Sequence, residues 1–536
     1  MKIAELLLQT LEANGVHHIF GNPGTTEIPL VRLCERRRKL KYVVALSEVS
    51  AVPMADGYAR ATRALGVVNL HVAPGLGNGM GALYTAGIAQ TPLLVLIGGQ
   101  DRRFLHTQPI LWGPLDKMAG AVCKSVFGLN TRHDAAFNIR RALRAALTPP
   151  YGPVALICPP DLLEQDLDAI PRRVKPPVLG ALTAAEARHY AHVLSQAIRP
   201  ALIAAEDVHW NDAGAALEKL AQVFAAPVYV APYTAMLPVS SRSPHYAGYL
   251  PPSRKQIAER LAAHDALFFI GGIGMRTTLY SEATLAQPKL WVGNDPDVLA
   301  AEGEFELATI ADTRSALVAI ARAAKSLGRS RPALKTSQRP QASLPARQTG
   351  VFHPSRAVHA LLEAFPDAIW VDESGLSTSD VRQWMQFPAG EYLINGSGGI
   401  GWGLAAAVGA AIGKPKRQVV AIIGDGSALY ASEALWTAAH HGAKLLLVIL
   451  SNRRYATLNE AASRLTGKAL GLFTLEPPVI DFSGLATLYG WRYAIAASES
   501  ELDEFISTLR GKIKANTLLE LKLDPAVKPV TASRHF

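Results

Sequence analysis

Residues 419–452 read VVAIIGDGSALYASEALWTAAHHGAKLLLVILSN. An apolar run at 419–423 turns through Gly424-Asp425-Gly426. Leu429, Leu435, Ala438 and Ala439 follow at helical spacing, and Gly442 predicts the helix end. A second apolar run, 445–450, closes at Ser451-Asn452. Strand, helix and strand predict a parallel βαβ unit with a right-handed crossover. Both strands then finish at one edge of the sheet, where open α/β sheets bind ligands. Asp425 and Asn452 are therefore expected to emerge side by side. A lone GDG is a tight turn as readily as a site. One carboxylate and one amide oxygen above glycine backbone suit a hard cation, Mg²⁺ or Ca²⁺, completed by phosphate oxygens and water. The glycines and the helix start favour an anion beside it.

Around this unit lie 536 residues, enough for about three domains. Hydrophobic residues make up 49% and charged residues 18%, the composition of a folded enzyme and not of a disordered chain. Much of the +10 formal charge is local: Lys325, Arg329, Arg331, Lys335, Arg339 and Arg347 follow one another with no acid between them. That stretch reads as a basic linker. No aromatic-interleaved basic motif predicts nucleic-acid binding. Cys34, Cys123 and Cys158 are odd in number and widely spaced, which suits reduced thiols in a cytoplasm. Ile3, Leu6, Leu7 and Leu11 share one face of an N-terminal helix whose Glu5 and Glu12 do not fit a signal peptide. The uncharged run 396–413 is too rich in small residues to predict a membrane span, and reads as a helix packed closely on a sheet or ligand.

Strand-like runs at 18–20, 42–46, 67–72, 93–97 and 154–158 alternate with helical patterns. A second series occupies 201–205, 228–231, 266–270 and 289–292, and a third 368–371, 392–394, 419–423, 445–450 and 518–521. The fold class expected is α/β, with three doubly wound parallel-sheet domains at 1–180, 181–345 and 346–536. Gly271-Gly272-Ile273-Gly274 lacks the full dinucleotide spacing and reads as packing. Residues 328–345 read as a linker and 530–536 as a loose tail.

GDG followed by Asn452, with GNPGTTE at 21–27, EVSAVPMADGYAR at 48–60, NLHVAPGLGNGMGAL at 69–83, GGIGWGLAAAVG at 398–409 and GDGSALYASEALWTAA at 424–439, resembles the thiamine diphosphate-dependent decarboxylase and carboligase family over nearly the whole chain. The likeness is strongest to its benzoylformate decarboxylases. It implies thiamine diphosphate and a divalent metal held by Asp425, Asn452 and the carbonyl of Arg454, with Gly426, Ser427, Tyr455, Gly375 and Leu376 around the diphosphate. Asn22, Pro23 and Gly24 would line the pyrimidine pocket, and Gly398 would accept from its amino group. Position alone leaves Glu48 either a helix-start charge or a functional acid. The resemblance implies the second, an acid on the pyrimidine ring nitrogen that promotes the imino tautomer. Ile400 would wedge the two cofactor rings into a bent conformer. His71 would contact substrate and move protons, and Thr25 would bind its carboxylate.

Two departures concern the substrate pocket. Thr278 stands where those decarboxylases carry a second histidine, and threonine cannot shuttle a proton as imidazole can. Ala461 replaces an aromatic residue and opens space. The expected activity is decarboxylation of an aryl or branched 2-oxo acid to an aldehyde. The alternative is a carboligase or lyase that makes or cleaves 2-hydroxyketones, like acetolactate synthase or benzaldehyde lyase. A flavin- or nucleotide-binding α/β protein and a non-catalytic scaffold are the rivals from other classes. The resemblance further implies a homodimer or homotetramer with active sites between chains.

Overall fold

Eighteen strands pair in parallel into three six-stranded sheets in the computed structural model, which describes residues 1–272, 276–277, 282–298, 304–328, 334, 339–340, 342–348 and 351–529. Their central strands are near-continuous apolar runs, as burial on both faces demands. In space the first sheet runs Lys41–Val44, His18–Gly21, Gly66–Leu70, Leu93–Gly98, Pro153–Cys158, Ser125–Gly128. The third runs Tyr392–Ile394, Ile369–Glu373, Val419–Gly424, Leu446–Ser451, Thr517–Lys522, Arg492–Ala496. Numbered along the chain, both read 2-1-3-4-6-5. The second sheet reads 6-5-4-1-2-3, the doubly wound order of dinucleotide folds.

The strand pairing at residues 419–452 is as expected, with Val420 opposite Leu446 and Gly424 opposite Leu450. The crossover differs. It holds two short helices, Asp425–Ala428 and Ala434–His440, because the chain turns between them and lays Tyr430 against the backbone of Gly401. The run 396–413 is likewise helical only over Gly403–Gly413. Gly398 (φ +81°) and Gly401 (φ +100°) take left-handed backbone that ends the helix pattern there.

The N- and C-terminal sheets meet through two helices, Glu48–Thr62 and Gly403–Gly413. A β-carbon on Gly57 would lie 2.1 Å from the Ala406 carbonyl oxygen, and one on Gly409 would lie 1.9 Å from that of Met54. The backbones touch, and one apolar core runs through both domains. At this seam the buried Arg60 guanidinium pairs with Asp56, donates to the Ile394 carbonyl at 2.8 Å and stacks 4.4 Å from the Trp402 ring. Trp402 Nε1 donates to Asp56 at 2.7 Å, so the ion pair is bonded on several sides.

The central domain docks here through the buried His209, whose Nε2 donates to the Arg60 carbonyl at 3.0 Å. Burial pushes this imidazole down to about 3. All three cysteines are buried and free. No helix among the described residues is long and apolar enough to cross a membrane.

Two outcomes follow. Gly409→Ala should destabilise the protein by roughly 1–3 kcal/mol or more in urea unfolding, since neither helix backbone can yield. The folded pKa of His209 lies below its unfolded value, so the neutral ring contributes stability above about pH 6.5 that is lost as pH falls through the folded pKa. Relative to His209→Gln, which keeps a donor, wild type should lose about 1.4 kcal/mol per pH unit between about pH 6.5 and 4. A stability difference constant across that window would contradict the assignment.

Candidate functional site

The strands His18–Gly21 and Gly66–Leu70 are neighbours in register, Gly21 opposite Asn69. Their ends therefore bring the loop 22–24 to His71, which opens the helix Val72–Ile88. His71 Nδ1 lies 2.7 Å from Glu27 Oε2 and 3.3 Å from Thr26 Oγ1. Glu27 is buried, and its carboxylate also accepts from the Gly24 amide at 2.7 Å and the Thr26 hydroxyl at 2.6 Å. A β-carbon at Gly98 would sit 1.5 Å from Glu27 Oε1, so the carboxylate fills the space that this glycine leaves. Thr25 is exposed at the rim, and Asn22 and Pro23 are half-buried beside it.

Glu48 begins the helix Glu48–Thr62. Ser47 caps it, accepting from the Val49 amide at 3.1 Å. Capping is thus done by the serine, and the buried Glu48 carboxylate turns to the neighbouring helix. There it accepts from Asn78 Nδ2 at 3.3 Å and lies over Gly75, where a β-carbon would stand 2.6 Å from Oε1.

On the C-terminal sheet, Asp425 and Asn452 leave adjacent strands together. Asp425 Oδ2 accepts from the Arg453 amide at 2.6 Å and Oδ1 from the Gly426 amide at 2.8 Å. Asn452 Oδ1 accepts from the Arg454 amide at 3.1 Å, and Arg453 turns the chain at φ +59°. Burial pushes the Asp425 carboxyl up to about 6, against the pull of the amide hydrogen bonds. One carboxylate and one amide oxygen are donors of the kind that fits a hard divalent ion, and the Arg454 carbonyl accepts from the Ala456 amide at 3.0 Å, which leaves it one lone pair. The Tyr455 ring packs on Gly426, and Ser427 is half-buried.

Across the edge, Gly375 (φ +59°) turns the chain after strand Ile369–Glu373. Asp372 organises this loop: Oδ1 accepts from the Ser374 amide at 2.8 Å and from the hydroxyls of Ser374 and Thr378, and Oδ2 from the Tyr392 hydroxyl. The Ser374 hydroxyl is therefore turned inward, and Leu376 is buried.

Glu373 is the residue that sequence reasoning missed on this side. Its buried carboxylate accepts from the amides of Gly401 at 2.7 Å, Trp402 at 3.4 Å and Gly403 at 2.7 Å, and from Asn395 Nδ2 at 3.3 Å. Burial pushes it up to about 7 despite these donors. Ile400, at the tip of the loop so anchored, is 42% exposed. Glu27 was missed on the other side, although it closes the GNPGTTE stretch. An acid at the end of an apolar strand or loop, with no cation near in sequence, was the available signal for both. Ala461 sits half-buried on the helix Ala456–Thr466. Thr278 lies outside the described residues, as do Ile273 and Gly274 and the segments 329–333, 335–338, 341 and 530–536.

Family models match three segments: thiamine pyrophosphate enzyme, N-terminal TPP binding domain, over residues 1–119; central domain over 187–320; and C-terminal TPP binding domain over 373–520. The chain is 32% identical to a benzoylformate decarboxylase of Pseudomonas aeruginosa over 92% of its own length and 94% of that protein. It is 24% identical to an acetolactate synthase of Arthrospira platensis, covering 90% of this chain and 88% of that one. Among solved structures, a thiamine diphosphate-dependent 4-hydroxybenzoylformate decarboxylase of Rhodococcus jostii RHA1 superposes with a TM-score of 0.89, at 28% identity, over 98% of this chain and 99% of that one.

Gly98→Ala should drive Glu27 from its niche and cost about 1–3 kcal/mol in urea unfolding. Pairing it with Glu27→Gln should give less than additive loss, since both act on one contact.

Proposed function

Because the chain belongs to the thiamine pyrophosphate enzymes, a family that here includes 2-oxo acid decarboxylases, we propose that it removes CO₂ from an aryl or branched 2-oxo acid of the benzoylformate kind and releases the aldehyde. Bound thiamine diphosphate supplies a thiazolium ring that takes up the electron pair left when CO₂ departs. Asp425, Asn452 and the Arg454 carbonyl hold Mg²⁺, with the backbone of Gly375, Leu376, Gly426 and Ser427 toward the diphosphate and Tyr455 packed beneath. Glu48 donates to and accepts from the pyrimidine ring nitrogen. Asn22, Pro23 and Gly24 flank that ring. Gly398 accepts from its amino group, and Ile400 fills the space between the rings. Thr25 binds the substrate carboxylate, and His71 moves the proton that the product requires.

The observation that carries this reading is the His71–Glu27 pair at 2.7 Å, at the end of the short turn Thr25–Glu27. A buried carboxylate fixes the ring's orientation and leaves Nε2 for the substrate, the arrangement general acid–base work needs. The half-buried Ala461, small where bulk would exclude a second carbonyl compound, favours carboligation as the second reading.

Glu48 is bonded within the N-terminal domain, and Asp425 and Asn452 within the C-terminal domain. Near these half-sites Leu46, Ile110, Trp112, Leu429 and Tyr430 are exposed apolar residues. We read these as faces that a second copy covers, completing each site across a homodimer or homotetramer.

The test is CO₂ release from a 2-oxo acid panel that includes benzoylformate, with thiamine diphosphate and Mg²⁺ present. Glu48→Gln should keep cofactor binding and lower turnover by about 10²–10⁴-fold. Asp425→Asn, or removal of the metal with EDTA, should abolish binding in calorimetry. Release from no member of the panel would sink the decarboxylase reading, and 2-hydroxyketone formation without free aldehyde would establish the second.

A further inference from the structure

The Glu373 carboxylate is bonded to a loop that no part of the reading above assigns to it. Residues 398–400 are exposed, whereas 401–403 are buried on this one side chain. Trp402 stands at the start of the helix Gly403–Gly413 and has no local side-chain cap. The first amides of that helix instead point at Glu373, a long-range cap from the end of the neighbouring strand. Asn395 ties the same carboxylate to the other arm: Nδ2 donates to Glu373 and to the Gly399 carbonyl, and Oδ1 accepts from the Ser397 amide at 3.0 Å. Both arms of the loop carrying Ile400 thus converge on one buried group. The glycines at 398 and 401, both left-handed, give this loop little stiffness of its own.

We propose that Glu373 is a positioning residue, which clamps the two arms of the 395–403 loop and so fixes where Ile400 stands relative to the bound cofactor. This rests on the thiamine diphosphate reading of Ile400. A buried carboxylate is costly, and one that closes a glycine-rich loop at three backbone amides has a defined geometric task. An error of about 1 Å at such a support can cost about 10²-fold in a reaction that depends on alignment.

The experiment uses the full-length protein with thiamine diphosphate and Mg²⁺. Its readouts are hydrogen exchange of backbone amides by mass spectrometry, exchange of the cofactor C2 proton by NMR after acid quench, and cofactor affinity by calorimetry. In wild type, amides 401–403 should be protected and 398–399 not. Glu373→Gln is isosteric but puts an NH₂ in place of one of the two accepting oxygens, so it should break the bond to at least one of the amides 401–403, deprotect that amide and slow C2-proton exchange by about 10- to 100-fold, with affinity unchanged. A merely structural role would lower the unfolding midpoint and leave C2 exchange in the folded protein alone. A folded Glu373→Gln with wild-type C2 exchange overturns the proposal. If that variant does not fold, wild-type amides at 401–403 exchanging as fast as 398–399 overturn it, and their protection supports it. Ile400→Ala tests the reading beneath. It should slow C2 exchange with 401–403 still protected, and if it does not, the wedge role of Ile400 fails with the clamp. Loss of C2 exchange in Glu48→Gln stands apart from both and checks the cofactor assignment itself.

Discussion

Backbone contact between the helices Glu48–Thr62 and Gly403–Gly413 is the constraint on which the molecule turns. Glycines at 57 and 409 let the two axes approach until carbonyl oxygens occupy the space a side chain would need. No side-chain layer separates the two helices at these glycines, and the cores of the N- and C-terminal domains merge. Each helix begins at a position of the proposed site: one starts with Glu48, the other directly after the loop that carries Ile400. The seam that joins the domains therefore also sets the starting points of both half-sites. The Asp56–Arg60 pair, roofed by Trp402, makes the register of this seam specific by requiring several hydrogen bonds at once.

Buried carboxylates recur wherever a loop near the site needs holding. Glu27 ties the Gly24 amide to His71, Asp372 gathers the Ser374 turn, and Glu373 collects the amides at 401–403. In each case a buried carboxyl group accepts backbone amides, the partners that glycine-rich or tightly turned loops leave unpaired. Glu373 and Asp425 show the cost, since burial raises both carboxyls well above the usual range. Asp425 differs in that its natural counter-charge in the proposed function is a metal ion.

Much of the architecture was legible from apolar runs. The strands in the sheet centres are largely apolar, and were read to within about two residues at their ends. Four edge strands were not: Ser125–Gly128, Tyr246–Tyr249, Leu307–Ile310 and Arg492–Ala496. An edge strand is paired on one side only, so it needs fewer apolar residues and leaves a weaker pattern. Uniform apolarity also misled at 396–402, where glycine backbone in left-handed conformation interrupts what composition alone presents as one helix. The crossover after Asp425 breaks for a related reason, a tertiary contact between Tyr430 and Gly401.

Asp425 and Asn452 could be paired from the chain alone, because two parallel neighbouring strands must end at the same edge whatever surrounds them. The order of strands along that sheet, the merging of two domains over a glycine seam, and the carboxylates behind His71 and Ile400 could not. Glu27 meets His71 across 44 positions and Glu373 meets Gly403 across 30. Contacts of that span carry no periodic trace, since hydrogen bonds and close packing act on distance in space. Local spacing determined which residues end a strand, and only the folded chain decided what those residues touch.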